Sequence, residues 1–299
     1  MKMFASVDIG SNSVVLSICQ KKDSWIEVHH ESRVTELGRD LKTKKVFYER
    51  SFDKTIDALT FYKTIVEKYN IDPVDVTVVA TEACRVAENR DALFDKIYQL
   101  LGAKVQLVSG EEEAKLCMLG QKMLYSNLTN GVIVDIGGSS TEVLDSRFND
   151  GNIEPSFINS FKVGVVKLRD LSLENKTQIF LEESFRNLPE NLFLGKKVFF
   201  SAGSMTALAS ILLNDDIIDS EKINGLCLDK VFVVQEIEKI LEMDDNSLLR
   251  NYPQVESRIK TIKYGAIILK YFFDFKNLNQ VIFTTYGLRH GALIQRYGE

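Results

Sequence analysis

Asp8-Ile-Gly-Ser-Asn-Ser13 recurs as Asp135-Ile-Gly-Gly-Ser-Ser140, and the two copies lie 127 positions apart (135 − 8). Each copy follows an apolar β-type run, Phe4-Ala-Ser-Val7 in the first and Val132-Ile-Val134 in the second. Each is followed by another strand-like run, Val14-Val-Leu-Ser-Ile18 and Thr141-Glu-Val-Leu144. The unit "strand, Asp-x-Gly turn, strand" therefore occurs twice. Gly10, Gly137 and Gly138 let the backbone turn tightly and approach a ligand closely. Beside them Ser11, Asn12, Ser13, Ser139 and Ser140 can donate to phosphate oxygens, as can the N–H groups of the turns. Asp8 and Asp135 can hold a hydrated cation against the same phosphates. A single Asp-x-Gly is common in ordinary hairpins. Its repetition points to a duplicated, two-lobed α/β protein that grips phosphate chains in a cleft.

The 299-residue chain is long enough for two domains with separate cores. Its 45% hydrophobic and 26% charged content is that of a globular protein in water, and no apolar run reaches the length of a membrane span. No signal-peptide pattern precedes the Asp8 strand. Cys19, Cys84, Cys117 and Cys227 are scattered, with no Cys-x-x-Cys pair. The expectation is a reducing cytoplasm, with the cysteines serving as small buried hydrophobes rather than zinc ligands or disulfides. A net charge of −5 argues against a nucleic-acid polymer as partner. A polyanion would have to be handled locally, by cations or metal ions. The basic clusters at Arg39–Lys45, at Lys162, Lys167 and Arg169, and at Arg258, Lys260 and Lys263 read first as solvated faces.

Periodicity predicts strands over about 3–9, 13–21 and 25–34, a helix over 51–69, a buried strand at 76–80, a helix from 89 to 101 closed by Gly102, a strand at 105–108 and a helix over 111–124. The second half restarts at Gly131. Helices are expected near 175–187, 204–213, 229–242 and 255–274, and strands at 197–201 and 280–285. The polar stretch Ser126–Asn130 reads as the hinge. The expected domains are residues 1–125 and 126–287, with a C-terminal helix over about 288–299 packing back on the first. Alternating strands and helices imply mixed sheets with helices on their faces.

Several residues are placed for chemistry. Ser109 stands three before Glu112, a capping box, and Glu111 suits a helix first turn. Glu113 lies beyond the capping pair; it is either a third partner of the helix dipole or a group that takes a proton from water. Glu142, just past the second turn, is either an exposed hairpin acid or a metal ligand or water-orienting group. Phe199-Phe-Ser-Ala-Gly-Ser204 reads as a strand, a glycine turn and a helix start. There Ser204 serves as an N-cap, and Gly203 and Ser204 lie where an anion can dock. Thr284-Thr-Tyr-Gly-Leu-Arg-His-Gly291 repeats that arrangement, with Arg289 pairing with phosphate or with an acid. Arg85 follows a buried strand, where strand ends meet ligands in α/β folds. Walker A, Gly-x-Gly-x-x-Gly, His-Glu-x-x-His and Gly-x-Ser-x-Gly patterns are absent.

Six segments in order resemble the exopolyphosphatase/guanosine pentaphosphate phosphohydrolase family, of the actin-like superfamily. They are Asp8–Ser13, Ala80-Thr-Glu-Ala-Cys-Arg85, Val108-Ser-Gly-Glu-Glu-Glu-Ala114, Val134–Glu142, Ser201-Ala-Gly-Ser-Met-Thr-Ala207 and Tyr286-Gly-Leu-Arg-His-Gly291. The resemblance implies an α/β fold of two duplicated actin-like (ribonuclease H-like) lobes around a cleft, and an enzyme that removes terminal phosphates. It implies Mg2+ as cofactor, with Mn2+ as a substitute and a K+ requirement left open. By position, Glu113 matches the family's base and Arg85 its phosphate-contacting arginine. Asp135 and Glu142 match acids tied to metal and phosphate, Asp8 stays the cation-holding acid read from the first turn, and Gly137 lies in a phosphate-binding turn. Two departures stand out: Ser139 where the family has a third glycine, and Arg258-Ile-Lys260 where it has Arg-Ala-Asp. The sequence stops soon after Gly291, whereas long relatives continue into helical domains; short polyphosphate or guanosine pentaphosphate is the substrate expected. A superfamily kinase and a non-catalytic sensor are the alternatives, and a homodimer is left open.

Overall fold

Along the first strand Ala5, Val7 and Ile9 join one buried cluster while Phe4 joins another. Alternate residues thus point to opposite faces, and both faces are covered. This strand, β1 (Lys2–Ile9), is the middle of a five-stranded sheet with β2 (Ser13–Lys21), β3 (Trp25–Val34), β4 (Val76–Ala80) and β5 (Val105–Leu107). The coordinates are a computed structural model and describe residues 2–22, 24–149, 152–171 and 177–298. The sheet order is β3-β2-β1-β4-β5. The first three strands form an antiparallel meander, and β4 and β5 add in parallel. Helices Glu49–Lys68 and Arg90–Leu101 cross between the parallel strands and bury Leu59, Tyr62, Leu93 and Ile97 against the Ala5 face. Gly102 ends the second of them at φ 67, a left-handed cap that glycine adopts without steric cost.

The second half rebuilds the same topology. Its strands are β6 (Asn130–Ile136), β7 (Thr141–Asn149), β8 (Asn152–Phe161), β9 (Val198–Ser201), β10 (Leu226–Asp229) and β11 (Gln280–Phe283), in the order β10-β11-β9-β6-β7-β8. β6, β7 and β8 form the meander, β9 and β11 add in parallel, and β10 is an extra antiparallel edge. Even the irregularity repeats. The register shifts after Ile18 between β2 and β3 and after Asp145 between β7 and β8, again 127 positions apart (145 − 18).

Packing divides the chain into one compact unit of Met1–Met123 with Leu288–Glu299 and another of Leu124–Gly287. Each has its own large apolar core. In the first, the C-terminal helix Leu288–Tyr297 lies on the sheet face away from the Ala5 cluster, packing Leu293 and Ile294 on Phe4, Cys19 and Trp25. It also runs so close to helix Gly110–Gly120 that a Cβ on Gly291 would fall 1.8 Å from the Leu116 carbonyl oxygen. Among the described residues no helix is long and apolar enough to cross a membrane.

The structure departs from the sequence expectations in places. The helix expected over 255–274 spans Ile262–Phe275; Pro253–Arg258 is a separate 3-10 turn that swings Arg258 inward. The helix expected over 175–187 runs Thr177–Ser184, and positions 175 and 176 lie outside the described residues. β8 and β10 were not anticipated: their exposed edge positions leave no continuous apolar run. Cys19, Cys84 and Cys117 are buried as expected, but Cys227 is exposed on the edge strand β10.

Candidate functional site

In the first unit the β1–β2 turn is closed by the Gly10 N–H donating to the Ser13 carbonyl at 3.0 Å. The segment after β3 ties the turn down. The Gly38 N–H donates to the Ser11 carbonyl at 2.7 Å, and the Thr35 and Glu36 N–H groups donate to the Asn12 carbonyl at 3.0 Å. A Cβ on Gly38 would lie 2.8 Å from the Ser11 Cβ, so this brace requires glycine. Ser11 and Asn12 are buried, and the Asn12 Nδ2 amide has no acceptor within the described chain. A buried donor without a partner is costly, and a phosphate oxygen is the kind of acceptor that removes the cost.

The same unit brings Arg85 and Glu113 together. Helix Gly110–Gly120 starts with the capping box: the Ser109 Oγ accepts from the Glu112 N–H at 3.2 Å, and the Ser109 N–H donates to Glu112 Oε2 at 2.8 Å. These bonds hold the Glu112 carboxyl below the usual range. Glu112 is therefore committed to the cap. Glu113, the next position round the helix, turns inward and is the only buried member of the three acids. Its Oε2 accepts from Arg85 Nη1 at 3.1 Å. Nη1 also donates to the Val108 carbonyl at 2.5 Å, and Nε and Nη2 donate to Glu82 Oε2 at 3.0 and 2.8 Å. Burial works against the arginine's charge, but Glu113 and then Glu82 outweigh it and hold its pKa above the ordinary value.

The second unit repeats the turn. The Gly137 N–H donates to the Ser140 carbonyl at 2.9 Å, and a Cβ on Gly137 or on Gly10 would meet the corresponding carbonyl at 3.1 Å. The brace recurs too. The N–H groups of Val165 and Val166 donate to the carbonyls of Gly137 and Gly138 at 3.0 and 2.8 Å, and a Cβ on Gly164 would collide with Gly137 oxygen at 2.5 Å. Ser139 is half-buried and Ser140 buried.

Asp135 and Glu142 are direct register partners on β6 and β7, so their side chains share one face of the sheet with Cβ atoms about 5 Å apart. Each is held by a serine: Ser201 Oγ donates to Asp135 Oδ2 and Ser160 Oγ to Glu142 Oε1, both at 2.7 Å. Glu142 is 1% exposed, which removes the exposed-hairpin alternative. Two adjacent carboxylates repel, and a hard cation relieves that repulsion while using their oxygens. Among the described residues no group of three or more His, Cys, Asp or Glu side chains is arranged to hold a metal ion. A cation here would complete its shell with water and phosphate oxygens, the habit of Mg2+. Asp8 occupies the position in the first unit that Asp135 occupies in the second, one residue before the strand end.

Ser204 is not an N-cap. The helix runs Gly203–Leu212 and its cap is Ala202, at φ 80 and ψ 164, a backbone region in which glycine is at home and alanine is strained. Ser204 is the second helical residue and is buried. Arg258 is no solvated face either. It is 8% exposed, and its guanidinium lies against Gly203, where a Cβ would come within 2.3 Å of Nη2. Burial lowers its pKa to about 10. Reasoning from sequence missed Arg258, Gly38, Gly164, Ser160, Ser201 and Glu82. The one available signal was a glycine shortly after the third strand of each repeat. Arg289 turns to protein groups, Ser17, His30 and Glu27, rather than standing apart as an anion site.

A family model described as the Ppx/GppA phosphatase family matches residues 15–298. The chain is 26% identical to the bifunctional 3-dehydroquinate synthase/phosphatase of Fusobacterium nucleatum, over 97% of this chain but 46% of that protein. It is 26% identical to exopolyphosphatase 2 of Mycobacterium tuberculosis, over 89% of this chain and 88% of the relative. It is 25% identical to the guanosine-5'-triphosphate,3'-diphosphate pyrophosphatase of Aliivibrio fischeri, over 97% of this chain and 58% of the relative. The chain thus spans about half the length of the first and third of these. Among solved structures, the Aquifex aeolicus PPX-GPPA enzyme superposes with a TM-score of 0.80 at 25% identity, covering 98% of this chain and 99% of that one.

Proposed function

Since the chain belongs to the Ppx/GppA phosphatase family, we propose that it is a phosphoanhydride hydrolase that removes the terminal phosphate of short inorganic polyphosphate or of guanosine pentaphosphate. The observation that carries this reading is the Arg85–Glu113 pair: a buried carboxylate, on the helix fixed by the Ser109 capping box, is held at 3.1 Å by the Arg85 guanidinium. The names of the relatives, an exopolyphosphatase and a guanosine-5'-triphosphate,3'-diphosphate pyrophosphatase, support the two substrates.

In this mechanism Glu113 aligns a water and takes its proton as the water oxygen attacks the terminal phosphorus. The bond from phosphorus to the bridging oxygen breaks, and the shortened chain leaves with the electron pair. Arg85 offsets charge on the phosphoryl oxygens and orients Glu113. Ser11, Asn12, Ser13, Ser139 and Ser140, with the backbone of Gly10, Gly137 and Gly138, bind phosphate oxygens. Gly203 and Ser204, backed by the buried Arg258, bind a further one. Asp135 and Glu142 in the second unit, and Asp8 at the matching position of the first, are the acids that would hold Mg2+, which when bound would neutralise phosphate charge and polarise the phosphoryl group. The proposal includes a cytoplasmic setting, which the four free thiols suit.

The test is phosphate release with Mg2+ from short polyphosphate, long polyphosphate, guanosine pentaphosphate and ATP, by wild type and Glu113→Gln. The expected result is release from short polyphosphate or guanosine pentaphosphate, reduced by about 10²- to 10⁴-fold in the variant with binding retained. Binding without release from any substrate would instead make the protein a sensor, and ATP-dependent transfer to a small acceptor would make it a kinase.

A further inference from the structure

We propose that Glu82 is the positioning residue of the Arg85–Glu113 pair: it occupies one edge of the guanidinium so that Arg85 holds Glu113 by a single nitrogen. The inference rests on the reading of Glu113 as the base.

An arginine and a lone carboxylate prefer a two-point, fork-to-fork contact. Arg85 does not make one with Glu113. Its Nε and Nη2 edge is taken by Glu82 Oε2 at 3.0 and 2.8 Å, and Nη1 is shared between the Val108 carbonyl at 2.5 Å and Glu113 Oε2 at 3.1 Å. The contact to Glu113 is the longest of the four. Glu82 is well shielded, its side chain 16% exposed beside an Arg85 that is 18% exposed. Helix Glu82–Val86 is five residues long, so Glu82 and Arg85 sit three apart, on neighbouring positions of one turn.

The chemical consequence follows from charge. A fork-paired Glu113 would be held strongly as the anion and would be a poor proton acceptor. A second carboxylate on the same arginine weakens that hold in two ways, by occupying the fork edge and by adding a negative charge nearby. Glu82 thereby keeps Glu113 basic enough to take a proton from water, and it leaves Arg85 anchored when an incoming phosphate competes for Nη1. The plain alternative is that Glu82 only serves the dipole of a short helix, as acids in a first turn do.

The experiment compares wild type, Glu82→Gln and Glu82→Ala by two readouts. The first is the titration of the Glu113 carboxyl by 13C NMR, its resonance assigned from its loss in Glu113→Gln. The second is the pH dependence of phosphate release. Removing Glu82 is expected to move the Glu113 midpoint to lower pH, further in Glu82→Ala than in Glu82→Gln, which keeps an acceptor oxygen. The acid limb of the rate profile moves with it. kcat falls by about tenfold in Glu82→Ala with KM within about twofold. In an Arg85→Lys background Glu82→Ala adds nothing further. An unmoved or raised Glu113 midpoint, with only a lower melting temperature, overturns the proposal and returns Glu82 to the dipole role. The titration needs no turnover: absence of phosphate release by wild type would remove the hydrolase reading, while the NMR result still decides the role of Glu82.

Discussion

Asn12 shows at the scale of one residue what the first turn is built to do. Its side-chain amide is buried without an acceptor, in a turn whose carbonyls are already bound from behind. An unsatisfied buried donor costs about 1–3 kcal/mol, which a folded protein does not keep for stability. Asn12→Ala is therefore expected to leave thermal stability unchanged or raised, while KM for phosphate release rises by about tenfold, the equivalent of one hydrogen bond to a charged oxygen. Thermal unfolding and steady-state kinetics on the one variant check both halves. A loss of stability with unchanged KM would mean that Asn12 is a structural residue. Ala202 carries a second local cost, at φ 80, next to the glycine on which Arg258 rests. An unsatisfied donor in the first turn and backbone strain beside Gly203, at places read from the sequence as phosphate sites, mark positions kept for binding rather than for stability.

At the scale of elements, the parts legible in the sequence are those decided by neighbours in the chain. The β1–β2 and β6–β7 hairpins were readable because apolar runs flank a glycine turn, and the Ser109 cap because its partner is three residues away. The register of Asp135 against Glu142 follows from the same local turn. The start of the Ile262–Phe275 helix was not legible: Val255, Ile259 and Ile262 keep helical spacing, yet Arg258 must leave that path to reach Gly203. Equally hidden was the seat of the C-terminal helix, where His290 Nε2 meets Glu27 Oε1 at 3.1 Å across 263 positions of sequence. Burial, then the Arg289 charge, push the His290 pKa down to about 4 against the pull of Glu27. Burial also opposes ionisation of Glu27, but His290, His30 and Arg289 outweigh it and hold the carboxyl far below its ordinary range. The sign follows. Between the ordinary histidine value of about 6.5 and pH 4 the unfolded chain binds a proton at position 290 that the folded chain refuses, so stability falls as the pH drops through that window. The loss levels off near pH 4, at on the order of 3 kcal/mol. The Glu27 contribution, present above the ordinary carboxylate pKa, is lost next, below it. Urea unfolding at pH 7, 5.5 and 4.5 should show a steep decline in wild type and a shallower one in His290→Gln. Parallel curves would show that the histidine does not carry the dependence.

For the whole molecule the decisive fact is that the first unit is closed by the far end of the chain. Residues Leu288–Glu299 pack with Met1–Met123, whereas Leu124–Gly287 form the other unit from one continuous stretch. The C-terminal segment is stitched in at many points. Arg296 donates to the carbonyls of Val76 and Val74, Trp25 Nε1 donates to the Gly298 carbonyl at 3.0 Å, and Lys21 Nζ to that of Tyr297 at 2.7 Å. Its removal would uncover Phe4, Cys19 and Trp25 and strip the buried Glu27 of both His290 and Arg289. Burying a large apolar side chain contributes about 1.5–3 kcal/mol, so uncovering Phe4 and Trp25 alone costs a large share of the stability of a domain this size. The second unit loses nothing from its core, every member of which lies between Val132 and Phe283. A chain ending at Gly287 is therefore expected to lose amide hydrogen-exchange protection throughout β1–β5 and helix Gly110–Gly120, while β6–β11 stay protected. Hydrogen exchange read by mass spectrometry separates the two stretches directly. Equal loss in both would mean that the second unit depends on the first for its own folding, and protection retained in β1–β5 would mean that the helix is an accessory rather than the closing element of that core.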